Sequence, residues 1–236
     1  MAVLEVHDVA SGYGELQILW GASLGLEQGQ LTTLVGSNGA GKTTLLRAVV
    51  GQLKPWQGKV LFQGEDVSRL PPYAKAEMGL IMVPEGRQLF TDMTVRENLE
   101  MGATPQRARA HAARNLEKVF TFFPRLKERA NQRSGTMSGG EQQMLAVARG
   151  IMSEPIVLMI DELSLGLAPV LTLDLFQSLR KLRREGLTLL LVEQNVRMAL
   201  KVSDYAYVLS EGKVELHGPS REVENNEEVR RAYLGI

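Results

Sequence analysis

Cysteine is absent from the 236 residues, which excludes disulfides and thiolate metal sites and suits a reducing compartment. Neither sign of charge is in excess. Lys+Arg 27 balance Asp+Glu 27, so a large nucleic-acid footprint is not expected. No run of eighteen apolar residues occurs, and nothing is therefore expected to span a bilayer. Glu5 and Asp8 interrupt the first apolar residues, unlike a secretory leader. Repeats and low-complexity tracts are lacking as well. These absences leave a soluble, cytosolic chain with length for one core and an inserted subdomain.

What is present begins with Gly36, Ser37, Asn38, Gly39, Ala40, Gly41, Lys42, Thr43 and Thr44, spaced G-x-x-x-x-G-K-[ST]. A β-branched run, Leu31 to Val35, predicts a buried strand entering this stretch, and Thr43 to Val50 a helix leaving it. Glycines without Cβ let consecutive backbone N–H groups turn inward as an anion nest, and the helix start adds unsatisfied donors. Lys42 can then reach the β- and γ-phosphates of a nucleotide, and the Thr43 hydroxyl can hold Mg²⁺.

Upstream, Leu4 to Val9 and Ile18 to Leu26 read as short antiparallel strands around a turn at Ser11 to Gly14. Tyr13 in that turn either stacks on a nucleotide base or packs on the first strand. Downstream, Gly51 ends the loop's helix, Gly58 to Gln63 is a strand, and Pro71 to Glu77 a short helix. The strand Leu80 to Val83 runs into Glu85, either a polar loop residue or a carboxylate for Mg²⁺ or the attacking water. Thr94 and Glu97 form a capping box that starts a helix to Ala103. Residues 104–135 stay helical and carry eight Lys/Arg against Glu117 and Glu128. That segment is a solvated face or a surface held near anionic headgroups.

Ser138 and Glu141 form a second capping box. With Gly139 and Gly140 this helix start is an ordinary cap or a second anion site, since small residues let a phosphate approach. Ile156 to Ile160, apolar without alternation, predicts a strand buried on both faces. It ends in Asp161, placed to hold Mg²⁺, and Glu162, placed to take a proton from water. Val170 to Arg184 is an amphipathic helix, and Leu187 to Val192 another apolar strand ending at Glu193-Gln194-Asn195. A hairpin turns at Glu211-Gly212, and residues 221–236 read as an acidic helix. Strands alternating with helices predict an α/β core with a mostly parallel sheet, and the first strands an antiparallel β side sheet.

In this order, the motifs resemble those of the ATP-binding subunit of an ABC transporter, over the whole chain. The resemblance implies a P-loop NTPase core at 1–89 and 156–236, with an inserted helical subdomain at 90–155. Gly36 to Thr43 look like the family's phosphate loop, and Met137 to Gln142 its signature motif, with Met137 where leucine is usual. Glu162 falls on the catalytic glutamate, Tyr13 on the base-stacking aromatic, and Ser164 to Ala168 on the loop joining two subunits. Glu85 stands in place of glutamine, Leu163 of proline, and Gln194 of the histidine that touches the γ-phosphate. The first and third resemble the ATPases of branched-chain amino acid importers, as does the Tyr-Leu-Gly end, Tyr233 to Gly235; Leu163 matches neither pattern. His7, His111 and His217 lie outside the motifs and read as structural.

The resemblance further implies ATP and Mg²⁺ as ligands, with Lys42, Glu162 and Gln194 catalytic. Thr43, Asp161 and Glu85 would hold the metal. The phosphate loop through Thr44, with Tyr13 and Ser138 to Glu141, would hold nucleotide. It also implies an ATP-dependent dimer, with a second copy or a paralogous ATPase, at the cytoplasmic face of the cell membrane. Permease subunits would meet a groove near residues 84–90, and a solute-binding protein would act indirectly. The alternatives are urea or amide import, lipopolysaccharide export, or a soluble ATPase outside transport.

Overall fold

The computed structural model describes residues 2–167 and 169–234. Ala168, in the loop implied to join subunits, and Gly235, in the Tyr-Leu-Gly end, lie outside the described residues. Strands β1 (Ala2–Tyr13) and β2 (Leu16–Glu27) are followed by β3 (Leu31–Val35) and helix α1 (Lys42–Val49). Then come β4 (Gln57–Phe62), β5 (Glu65–Asp66), α2 (Pro72–Met78) and β6 (Leu80–Val83). Five helices intervene before the next strand: α3 (Val95–Gly102), α4 (Gln106–Arg109), α5 (Ala112–Phe122), α6 (Pro124–Glu128) and α7 (Gly139–Met152). The chain closes with β7 (Val157–Asp161), α8 (Pro169–Arg184), β8 (Thr188–Glu193), α9 (Val196–Val202), β9 (Tyr205–Ser210), β10 (Lys213–Pro219) and α10 (Ser220–Asn225).

The main sheet runs in the order β10-β9-β3-β8-β7-β6, parallel except for the edge strand β10. Every residue of β3, β7 and β8 is buried, as strands covered on both faces require. Thr33 tolerates this because its hydroxyl donates to the Leu191 carbonyl at 3.0 Å. A second, antiparallel sheet, β2-β1-β4-β5, packs with α1 against one face of the main sheet. Helices α3 to α8 pack against the other.

Three readings of the sequence need correction. The first strands are not short: each spans twelve residues, and the turn lies at Gly14-Glu15. Bulges let the pairing continue through glycines that look like turn signals in the sequence. The helical reading of 104–135 breaks into α4, α5, α6 and a 3-10 turn at Ser134–Thr136, with Pro105 and Pro124 setting two of the starts. Of the eight basic residues of this segment, three pair with acids outside it. Arg114 pairs with Glu154, Lys118 with Glu185 and Arg129 with Glu141. The terminal helix breaks at Asn226, whose side chain accepts from the Glu228 and Val229 N–H groups and restarts the helix. The histidines have local partners: His7 meets Glu5, His111 meets Glu154, and His217 meets the Tyr205 hydroxyl.

Candidate nucleotide site

The register of the parallel strands decides which residues meet. Val35 lies opposite Glu193, Val192 opposite Asp161, and Ile160 opposite Val83. The carboxyl ends of β3, β8, β7 and β6 therefore finish level, and Glu85, Asp161, Glu162, Glu193 and Gln194 gather at the edge that carries the phosphate loop. The strand of Asp161 is not next to the loop's own strand, because β8 stands between them.

The loop is shaped by close approach. A Cβ on Gly36 would sit 2.2 Å from the Leu209 carbonyl oxygen, so only glycine fits there. Gly41 has φ 103° and caps α1 without any side-chain hydrogen bond, leaving the helix start open to an anion. The buried Lys42 ammonium donates to the carbonyls of Gly36 and Ser37, both at 2.9 Å. Burial lowers its pKa, and the charges of Glu162, Asp161 and Glu193 oppose the fall.

A cleft of about 500 Å³ opens over this edge. Asn38, Gly39, Gly41, Lys42, Thr43 and Thr44 line it from the loop, and Glu85, Glu162 and Gln194 from the strand ends. Ile18 and Leu165 supply apolar walls that sequence reasoning missed. Gly36, Ser37 and Ala40 lie outside the lining. Tyr13 also does not line it; it ends β1 half-exposed, and its hydroxyl accepts from Arg47 at 3.0 Å.

Asp161 lies beneath the cleft, fully buried, with neither carboxylate oxygen in a hydrogen bond. Burial pushes its carboxyl up to about 6; Glu162 and Glu85 add to the rise, and the Thr43 hydroxyl and Lys42 work against it. A buried carboxylate offset only by the nearby Thr43 hydroxyl and the Lys42 charge is costly, and a cation at its oxygens would satisfy it. Among the described residues no group of three or more His, Cys, Asp or Glu could hold a metal by itself. An ion here would complete its shell from phosphate oxygens and water, as Mg²⁺ does.

Glu162 adopts φ 50° and donates its N–H to the Val192 carbonyl at 2.9 Å. Leu163, where the resemblance implies proline, is fully buried in the core, so packing holds the turn that a ring would have stiffened. Glu193, singled out by no sequence motif, is 1% exposed and accepts from the Ser164 N–H at 2.9 Å and the Ser164 hydroxyl at 2.7 Å. Burial pushes its carboxyl above the usual range, against the pull of these donors.

The second helix start stands apart from the cleft. Ser138 and Glu141 form the predicted capping box, with the Ser138 N–H and hydroxyl donating to Glu141 at 3.0 and 2.8 Å. Glu141 also pairs with Arg129 at 2.9 Å. Burial opposes its charge, but the Ser138 donors and Arg129 outweigh it and hold the carboxyl below the ordinary value. Glu141 thus holds the helix start, while Ser138 is exposed. None of Ser138, Gly139, Gly140 and Glu141 lines the cleft around Lys42. A neighbouring cleft, bounded by Glu85, Arg87, Gln142 and Glu162, lies on the α7 side of the edge.

Known proteins share this arrangement. The sequence profile described as "ABC transporter" matches residues 19–164. The chain is 44% identical to the high-affinity branched-chain amino acid transport ATP-binding protein BraG of Pseudomonas aeruginosa, across 99% of this chain and 100% of that one. It is 35% identical to the probable branched-chain amino acid transport ATP-binding protein LivF of Archaeoglobus fulgidus, over 99% of both. The lipopolysaccharide export ATP-binding protein LptB of Haemophilus influenzae is 32% identical, over 100% of this chain and 98% of that one. Among solved structures, the ADP conformation of MJ1267, an ATP-binding cassette of an ABC transporter, superposes with a TM-score of 0.86 at 26% identity over 100% of both chains. With a family profile over more than half its length and full-length relatives, the chain belongs to the ABC transporter family as an ATP-binding subunit.

Proposed function

We propose that this chain hydrolyses ATP to drive import of branched-chain or related hydrophobic amino acids, working at the cytoplasmic face of a membrane. The gathering of Lys42, Glu162 and Gln194 around one cleft, with the Ser138 helix start left outside it, carries this reading. Such a cleft is half a site. It surrounds one side of a triphosphate and leaves the γ-phosphate open to a second set of N–H donors, here Ser138 to Gly140 of a second ATPase subunit. ATP bound in two such halves joins the subunits head to tail.

In this mechanism Lys42 leaves the carbonyls of Gly36 and Ser37 for the β- and γ-phosphates. The loop's N–H groups hold the phosphate oxygens, and the Gln194 amide donates to the γ-phosphate. Water oxygen bonds to the γ-phosphorus as the bridge to the β-phosphate breaks, and Glu162 takes the water's proton. Thr43, Asp161 and Glu85 would hold Mg²⁺, which supplies positive charge to the phosphate oxygens. Ile18 and Leu165 exclude water from the flanks of the cleft. Tyr13, at the end of β1, would stack on the base once its Arg47 contact yields.

The segment 90–155 would act as a helical subdomain against a core of 1–89 and 156–236. A groove between α2, β6, α3 and α7 exposes Tyr73, Phe90 and Met101. Such an apolar strip suits a membrane permease better than solvent. The amino acid cargo rests on the full-length likeness to BraG, and binding of cargo falls to the permease and a solute-binding protein.

Uptake of labelled leucine into cells lacking the chain tests the whole reading. The intact chain should restore uptake and Lys42→Ala should not. Restored ATPase coupling with no effect on leucine, isoleucine or valine would remove the cargo, and recovery of lipopolysaccharide-export proteins from solubilised membranes would replace it.

A further inference from the structure

Glu193 is a buried carboxylate that the steps above do not use. It ends β8 opposite Val35, beside the residue that carries the Gln194 amide. Both of its oxygens are taken by one residue, Ser164, through the N–H at 2.9 Å and the hydroxyl at 2.7 Å. Ser164 follows Glu162 by two places, so the turn between them is tied to β8 at both ends, with the residue between buried. Glu162 donates its N–H to Val192, Leu163 is fully buried, and Ser164 is held by Glu193. Glu162 needs such a hold because its φ of 50° is unfavourable for a residue with a Cβ, and it persists only where the surroundings over-determine it. Proline would have stiffened this turn without help. With leucine at 163, the directional restraints that remain are the two hydrogen bonds from Ser164 to Glu193 and the bond from Glu162 to Val192.

We propose that Glu193 is a positioning residue for hydrolysis, which through Ser164 holds the Glu162 carboxylate and the Gln194 amide in one fixed relation across the γ-phosphate. The proposal rests on Glu162 as the proton acceptor. A packing role alone would be met by an apolar pair of similar volume. A carboxylate taken out of water here is retained for direction, since two acceptor oxygens fix both the distance and the tilt of the Ser164 backbone. Leu165, half-exposed on the cleft wall, follows Ser164 directly.

The test uses the purified full chain, with steady-state ATP turnover and, separately, affinity for a fluorescent ATP analogue. Ser164→Ala removes one hydroxyl and should lower kcat about tenfold while analogue affinity stays within about twofold, because misplacement of a proton acceptor costs rate more than binding. Ser164→Thr keeps the hydroxyl and should recover most of the loss. Glu193→Met removes both acceptor oxygens and should slow turnover at least as much as Ser164→Ala, and the double variant should be no slower than the worse single one, since both break the same link. If Glu193→Met does not fold, the Ala and Thr variants at 164 decide alone. Wild-type kcat in Ser164→Ala, failure of threonine to rescue, or losses that multiply in the double variant would each overturn the proposal. Glu162→Gln, run alongside, separates the two readings. Its inactivity beside a fully active Ser164→Ala removes only the positioning role, and its full activity removes the proton acceptor and the positioning role together.

Discussion

The guanidinium of Arg87 donates to the side-chain oxygen of Gln142 across 2.9 Å, tying the loop after β6 to the first turn of α7. Gln142 passes the link on to the Ser134 carbonyl at 3.0 Å, and Arg149 holds the Arg87 carbonyl at 3.2 Å. The loop that carries Glu85 and the helix that opens with Ser138 thus move as neighbours. Arg87 is half-buried and held by Gln142 on the wall of the cleft next to the Lys42 site. Arg87→Ala should therefore lower ATP turnover severalfold even without a permease, with analogue affinity unchanged. A variant with normal basal turnover and a weakened response only to permease would return Arg87 to the docking surface.

Dimerisation follows from the split between the cleft and the Ser138 helix start. Glu162→Gln should retain nucleotide and stall before hydrolysis. Light scattering with ATP should then read about twice the 26.1 kDa of one chain. Adding Ser138→Arg should return the mass to one chain, by crowding the phosphate of the partner. A single-chain mass at all concentrations of Glu162→Gln would refute the shared site.

Asp161 offers two buried oxygens without hydrogen bonds, and an ion that satisfies them should stabilise the fold. Mg²⁺ added with a non-hydrolysable ATP analogue should raise Tm by about 5 °C or more in the wild type. The same addition to Asp161→Asn should give a much smaller rise. Equal rises would show that the ion is bound without Asp161.

Gln194 lines the cleft with an amide that cannot take up a proton. Gln194→His should introduce a titration of turnover near the ordinary histidine pKa of about 6.5, absent from the wild type. Stopped-flow phosphate release from pH 5.5 to 8.5 reads this directly. Superimposable profiles would put position 194 outside the γ-phosphate contacts.

Lys75 is fully buried, and its ammonium donates to the Val49 carbonyl at 2.7 Å, at the end of α1. Burial pulls its pKa from 10.5 to about 8, with Asp66 opposing the fall. Between these values the unfolded chain binds more protons than the folded one, so this group's contribution to stability rises as pH rises through that window. The gain is at most about 3 kcal/mol. Urea midpoints at pH 7.5 and 10 should differ more in the wild type than in Lys75→Met. Parallel pH dependence in both would show that Lys75 titrates as if exposed.

By itself the sequence determined whatever depends on residues close along the chain. The phosphate loop at Gly36 to Thr44 is a local pattern of missing Cβ atoms and a helix start. The boxes at Thr94 and Ser138 were equally legible, because a cap joins residues three apart. Unalternating apolar runs marked β7 and β8 as doubly covered, and a β-branched run marked β3 as buried. Tertiary structure alone decided what meets at the sheet edge, since strand order and register are set by packing between segments from 31 (Asp161 and Val192) to 158 (Val35 and Glu193) residues apart. It put β8 between the loop and Asp161, and Glu193 under Ser164, where a carboxylate with no motif of its own finds two donors. It kept Tyr13 out of the cleft lining and tied Arg87 to Gln142. It also paired the basic helices with Glu154, Glu185 and Glu141, acids too distant in sequence for charge counting along the segment to include.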